Sequence, residues 1–324
     1  MIKPLVRRLL TPHVRMRVWE VRQRLNQWSK HDLPRWWQDW LPDIYVQRTQ
    51  FREVFGRALN LASPVTFNEK VHWLSRHYRE PVMTQLADKF AVRTYVENRA
   101  GSEYLTELYG VWDDPTTIAF DHLPDAFVLK VTSGSGQNLF CRGRSKLDRE
   151  ITVRQLTKWM KRSEYWVSRE WAYKHIHARV IAEALLLDGQ GEVPQDYKFF
   201  CFDGIPRFIQ VDTGRFTDHR RDLFDLNWER LPVTYTYPGS ETVIPRPQLL
   251  NGMLELAATL SKGFPFVRVD LYNIGDSVKF GEMTWYPGGG LERFSPSEYD
   301  YVFGEAVKLP PRPSGRGLRM FGLG

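Results

Sequence analysis

Two stretches decide how this chain folds: Arg268-Val269-Asp270-Leu271-Tyr272, and, ten residues past Asp270, Phe280-Gly281-Glu282-Met283-Thr284. Each is short, rich in β-branched and aromatic residues, and alternates apolar with polar, which predicts strands over 266–272 and 278–284. Alternation sets Arg268, Asp270 and Tyr272 on one face of the first strand, and Glu282 and Thr284 on one face of the second. Val267, Val269, Leu271 and Phe280 then face a core. Two carboxylates on adjacent strands, offered to one side, supply hard oxygens of the kind that hold Mg²⁺. A cross-strand charge pair on an exposed face is the alternative, and carboxylates so close to a core weigh against it.

Further β-like runs precede this pair. Phe127-Val128-Leu129-Lys130-Val131 reads as a strand that ends in the loop Ser133-Gly134-Ser135-Gly136. Such a loop lets backbone N–H groups approach a phosphate closely, and Lys130 adds a point charge. It is neither a Walker A loop nor a kinase glycine loop, because the lysine stands before the glycines. Taken alone it reads as a surface turn. Glu183 is a lone acid inside Val180-Ile181-Ala182-Glu183-Ala184-Leu185, so it needs a specific donor: an adenine amino group or a basic side chain. Asp196-Tyr197-Lys198-Phe199-Phe200-Cys201-Phe202-Asp203-Gly204 reads as a strand and a hairpin turn, with Lys198 able to reach a phosphate. Asp212, Arg215 and His219 sit in a polar stretch suited to an acidic substrate or to solvent. Helices are expected over 83–99, 151–173 and 246–262, with a helix start near Thr66 or Asn68. Strands joined by long helical connections predict an α+β body.

Composition narrows the function classes. The 324 residues are 42% apolar and 14% aromatic, enough for a large core, and the two cysteines, Cys141 and Cys201, are no disulfide framework. No 18-residue apolar run or secretory h-region is present. The net charge of +7 is uneven. Residues 1–30 carry eight Lys/Arg against one Glu, while the rest of the chain is balanced. A nucleic-acid-binding body is therefore not expected. The basic, Trp-rich segment 1–45 could lie on an anionic membrane or pack on the body; both readings stay open. The organisation expected is this N-terminal helical segment, a mainly helical region 46–125, a nucleotide- and metal-binding core 126–309, and a disordered basic tail 310–324.

Taken in order, these motifs resemble the ATP-grasp superfamily, and specifically its TupA-like group, named for teichuronopeptide biosynthesis. Pro64-Val65-Thr66-Phe67-Asn68-Glu69-Lys70, Ala87-Asp88-Lys89-Phe90-Ala91-Val92-Arg93 and Gln210-Val211-Asp212 are also typical of that group. The resemblance covers roughly residues 42–305 and implies an ATP-grasp fold with ATP between two α+β subdomains. It implies that Lys130 binds phosphate, that 133–136 cover the triphosphate, that Glu183, Ala184 and Leu185 form the adenine hinge, and that Lys198 is a second nucleotide contact. Arg268 resembles the arginine that steadies the transferred phosphoryl group in D-alanine–D-alanine ligases. Asp270 and Glu282 match Mg²⁺ ligands, and Thr284 stands where many members have Asn. Gly288 and Gly289 are similar to the glycine segment that holds substrate.

The implied reaction is ATP-dependent ligation of a carboxylate to an amine through an acylphosphate. The group suggests a uronic acid of a surface polysaccharide and an amino acid as substrates, in the bacterial cytoplasm or on the inner membrane face. A phosphotransferase, a glycosyltransferase and a non-catalytic component of a polysaccharide assembly complex are the rival readings.

Overall fold

The computed structural model describes residues 42–214 and 218–312. The chain divides into two units, 1–46 and 47–324. The basic N-terminal segment up to residue 41, Arg215, and the tail from 313 lie outside the described residues.

The second unit is α+β. Helices α1 (Asp43–Phe55, which begins in the first unit), α2 (Phe67–His77), α3 (Pro81–Ala87) and α4 (Val92–Arg99) come first, then strand β1 (Leu108–Trp112). Strands β2 (Phe127–Val131) and β3 (Asn138–Cys141) form a hairpin; α5 (Arg149–Met160), α6 (Glu164–Ser168) and β4 (Val180–Ala184) follow. These strands make an antiparallel sheet ordered β1-β4-β2-β3. It thus takes a strand from the stretch expected to be mainly helical. A second antiparallel sheet, ordered β10-β9-β5-β6-β7, comprises β5 (Asp196–Phe202), β6 (Ile205–Thr213), β7 (Arg220–Phe224), β9 (Phe266–Ile274) and β10 (Ser277–Thr284). The short β8 (Thr234–Tyr235) pairs with β11 (Phe294–Ser295), α7 (Leu250–Ser261) lies between β8 and β9, and α8 (Glu298–Ala306) closes the described chain.

Local chemistry explains the boundaries. Thr66 caps α2 in a full capping box with Glu69, as its Thr-x-x-Glu spacing dictates. The helix expected over 83–99 is two helices: the Asp88 carboxylate accepts the N–H groups of Phe90 and Ala91 and ends one turn by starting the next. The helix expected over 151–173 also breaks, at 161–163 and again at Arg169, whose φ of 60° leaves the helical region. Asp203-Gly204 makes the expected hairpin turn with both residues at positive φ.

Each sheet buries one face. In the first, Phe127, Leu129, Val131, Val180 and Ala182 pack with Leu156 of α5 and with Ile118, Phe120 and Leu123. In the second, Phe199, Cys201, Ile209, Val211, Val267, Val269 and Leu271 are all fully buried, and α7 packs against β5, β6 and β9 on this sheet. The opposite face of the second sheet is aromatic at one end, where Phe67 of α2 meets Phe200, Phe202, Phe266 and Phe303, and charged at the other. Both cysteines are buried free thiols. Among the described residues no helix is long and apolar enough to cross a membrane.

Candidate active site

The charged end of that face begins with the β9–β10 hairpin. Glu282 pairs with Asp270 and Thr284 with Arg268, so all four share one face. This register depends on a bulge at Gly281: Phe280 pairs with Leu271, and one extra residue intervenes before Glu282. Without the bulge Glu282 would pair with Val269 and face the core. A Cβ on residue 281 would lie 2.9 Å from the Asp270 carbonyl oxygen, so only glycine fits the bulge.

Strand β5 adds Lys198, paired with Asp270, and Asp196, two residues back on the same face. The Lys198 ammonium donates to Asp270 Oδ2 at 2.6 Å and to Asp196 Oδ2. Arg268 donates from Nε to Asp270 Oδ1 and from Nη2 to Asp270 Oδ2, both at 2.7 Å, and from Nη2 to Thr284 Oγ1 at 3.2 Å. This fork explains how Asp270 persists at 1% exposure: a buried carboxylate requires ionic partners. Burial pulls the Arg268 pKa down, but Asp270, Glu282 and Asp196 outweigh it and leave the guanidinium raised. Glu282 is half-exposed, with the Thr284 hydroxyl 3.3 Å away and Lys89 Nζ 3.4 Å away.

The first sheet faces this hairpin across a cleft. Lys130 and Glu183 stand on its uncovered face, and Lys130 Nζ donates to Glu183 Oε2 at 2.7 Å. Arg93 donates to Glu183 Oε1 at 2.6 Å and to the Thr106 carbonyl at 2.7 Å. The donors for Glu183 are thus basic side chains, one of the two alternatives its position allowed. Lys89, Arg93, Lys130 and Glu183 line the cleft together with Phe280 and Gly281 of β10. The Ala184 N–H donates to the Glu107 carbonyl, and Leu185 is half-buried.

The glycine loop forms the tip of the β2–β3 hairpin and is fastened at its root. Thr132 accepts from the Lys89 N–H and donates to the Arg179 carbonyl, while Arg179 pairs with Asp88 at 3.0 Å. Lys89 Nζ also donates to the Gly134 carbonyl at 2.7 Å, so one lysine spans from the loop to Glu282. Ser133 Oγ is buried without a hydrogen-bond partner, which fits a loop made to receive an acceptor such as phosphate oxygen. Ser135 and Gly136 complete the tip, Gly136 at φ 68°.

The third group lies around Gly288 and Gly289. Asp212 accepts from Arg221 Nε at 2.6 Å and lies 3.3 Å from His219 Nε2. Arg221 also donates to Glu292 at 2.6 Å, and Glu292 packs where a Cβ on Gly288 would go. Gly289 has φ 65°, and a Cβ there would sit 3.1 Å from Ser168 Cβ and 3.5 Å from Glu170 Oε1. The half-buried Glu170 carboxyl is pushed up to about 8 by burial, with Glu164 and Glu282 adding and the Ser168 hydrogen bond and Arg268 opposing.

The structure therefore joins Lys198, Arg268, Asp270, Glu282 and Thr284 in one cluster. Lys130 and Glu183 stand across the cleft, and Asp212, His219, Gly288 and Gly289 form a flank. Sequence reasoning missed Lys89, Arg93, Glu170, Arg221 and Glu292. Lys89 and Arg93 carried a signal in their charged, four-residue spacing at a helix start; Glu170 carried none. The donor set fits a divalent cation, since Asp270, Glu282 and Thr284 all present oxygen, although Asp270 is held by two cationic side chains. Among the described residues no group of three His, Cys, Asp or Glu is poised to hold a metal.

A family model described as TupA-like ATP-grasp matches residues 69–308. Among solved structures, D-alanine–D-alanine ligase from Bacillus anthracis is 16% identical over 61% of this chain and 56% of its own, with a TM-score of 0.37. The ATP complex of that ligase is 12% identical over 68% of this chain and 64% of its own, with a TM-score of 0.39. The D-cycloserine synthetase DcsG is 17% identical over 70% of this chain and 71% of its own, with a TM-score of 0.37. The chain thus spans less than two thirds of either ligase chain. No curated protein matches it. With the family model covering most of the sequence, and its motifs gathered on two facing antiparallel sheets, the chain belongs to the TupA-like ATP-grasp family.

Proposed function

We propose that this protein is an ATP-dependent ligase that converts a carboxylate to an acylphosphate and joins it to an amine. One observation carries the reading: the cleft between the two sheets sets the cationic groups Lys89, Arg93 and Lys130 against a hairpin bearing Arg268, Asp270 and Glu282. Such a site does its work by position and charge. The lysines and arginines neutralise phosphate oxygens, and Arg268 steadies the phosphoryl group in transit. Mg²⁺ bound to Asp270 and Glu282, with Thr284 beside them, would supply further charge neutralisation at the phosphates. Asp270 and Glu282 would hold the ion, and Arg268 and Lys198, which here pair with Asp270, are the cations placed to meet phosphate. The reaction needs no covalent protein nucleophile, and both thiols are buried away from the cleft.

The acid is, in our reading, a uronic acid of a surface polysaccharide or its precursor, and the amine an amino acid. The family resemblance and the basic segment 1–30, suited to an acidic glycan or an anionic membrane, support this. Thermal melting of the full chain tests the nucleotide site. Mg-ATP is expected to raise the melting temperature, and Asp270→Asn to abolish the rise. A rise with Mg-UDP-sugar and none with Mg-ATP would turn the assignment to glycosyl transfer. Release of ADP that depends on both an acid and an amine then separates a ligase from a phosphotransferase.

A further inference from the structure

A second cavity lies beside α4, outside the cleft described above. Phe90, Arg93, Thr94 and Glu97 recur at helical spacing and form one wall. The chain reverses at Gly101, at φ 121°, and the returning segment brings Ser102, Leu105 and Glu107 to the other wall. The space between them is about 350 Å³, which is in the range of small-ligand pockets. Arg93 is the partition between the cavity and the cleft. It lines both, and its guanidinium is tied to Glu183 and to the Thr106 carbonyl. Lys89, Lys130, Glu183 and Phe280 line the cleft and take no part in the cavity.

The lining selects a class of ligand. Glu183 meets the charge of Arg93, so no unpaired described cation faces the cavity, while Glu97 and Glu107 present carboxylates. Phosphates and carboxylates are repelled there. Among the described residues only Phe90 and Leu105 offer apolar surface, too little for a greasy ligand. The Thr94 and Ser102 hydroxyls and the Glu97 carboxylate make no hydrogen bond or ion pair with any described residue, and all three side chains are exposed. Arg179 covers one face of the Phe90 ring at 4.5 Å without lining the cavity, so the rest of the ring meets the space.

We propose that this cavity binds a neutral sugar residue. Sugar hydroxyls donate to the two carboxylates and exchange hydrogen bonds with Thr94 and Ser102, and the C–H face of the sugar packs on Phe90. A uronate is repelled here, so the cavity is separate from the place where an acid would be activated. The proposal goes beyond the ligase reading and stands whether or not that reading holds.

The test is saturation-transfer NMR on the full chain with the methyl glycosides of glucose, galactose, mannose and N-acetylglucosamine. Methyl glucuronoside is the anionic control and ethanolamine the cationic one. Transfer to at least one neutral glycoside is expected, stronger than to either control. Thr94→Trp fills the cavity from an exposed helix position and should abolish the signal, with the melting temperature of the unliganded variant reporting its fold. Replacing Glu97 and Glu107 together by Gln should weaken binding about ten-fold, and this variant decides the matter if Thr94→Trp does not fold. Mg-ADP should leave the sugar signal in place. No transfer to any neutral glycoside would overturn the proposal, as would a signal that survives in a folded Thr94→Trp or in the double variant. So would preference for either control. Loss of the signal on adding Mg-ADP would also overturn it and make the cavity the ribose end of the nucleotide site. Sugar binding without a melting shift from Mg-ADP would sink the ligase reading alone; a Mg-ADP shift without sugar binding would sink only this proposal.

Discussion

Replacing Lys198 by Met should cost far more stability than an ordinary lysine substitution. Its ammonium is shared by Asp196 and Asp270, and the three side chains are 6%, 4% and 2% exposed. Arg268 joins them through Asp270, and Glu282 lies at the edge of the group, 3.6 Å from Arg268. Methionine fills the same volume but takes one positive charge out of the group. Breaking a buried ionic pair in this way costs about 3–5 kcal/mol, which for a chain of this size lowers the melting temperature by about 6–10 °C. The penalty has a sign in pH. Burial already raises the Asp270 pKa above its ordinary value, so without Lys198 the deficit is full at neutral pH and shrinks as the pH falls and Asp270 takes up a proton. Chemical denaturation at pH 7 and pH 5 measures it. Adding Asp196→Asn restores the net charge of the group, so the double variant should recover most of the loss. A deficit below about 1 kcal/mol, or a double variant that merely sums two losses, would refute the argument.

Other consequences follow from single contacts. Gly289→Ala forces a side chain to adopt φ 65° against Ser168 and should destabilise by about 1–2 kcal/mol, read by denaturant titration. Thr66→Ala removes the side-chain half of the α2 capping box and should cost about 1 kcal/mol in the same assay. His72 is buried, and burial lowers its pKa to about 4. Only the unfolded chain binds that proton between about pH 6.5 and 4, so stability is complete above this window and falls by up to about 3 kcal/mol through it. His72→Gln should flatten that part of the stability profile, and an unchanged slope would remove His72 as its cause. Lys130→Met should reduce the melting shift from Mg-ATP while leaving the Asp270 cluster and the unliganded fold in place, since among the described residues only Glu183 takes its ammonium.

The core strands were legible because strand formation is local. Apolar and alternating runs mark 127–131, 197–202, 266–272 and 278–284 without reference to the rest of the chain, and strands cover all four. The same alternation paired Arg268 with Asp270 and Glu282 with Thr284, and the Thr66–Glu69 spacing announced its cap. Helix continuity was less legible. The stretches 83–99 and 151–173 are apolar at helical spacing, but the Asp88 side chain captured the backbone N–H groups of one, and Arg169 left the helical region in the other. A side chain that competes for backbone donors leaves the hydrophobic pattern untouched.

Sequence alone determined the family, an α+β body, and the residue types that could meet a phosphate. Tertiary structure decided which of them meet. Glu282 faces Asp270 because one glycine bulge shifts the register, a matter of hydrogen bonding between strands. Lys89 and Arg93 reach the cleft because the Asp88 turn is fastened to the root of the glycine loop. Ser168 and Glu170 come beside Gly289, more than a hundred residues away, only through packing. Contacts between distant segments depend on packing and register, and neither is written in the periodicity of a single strand or helix.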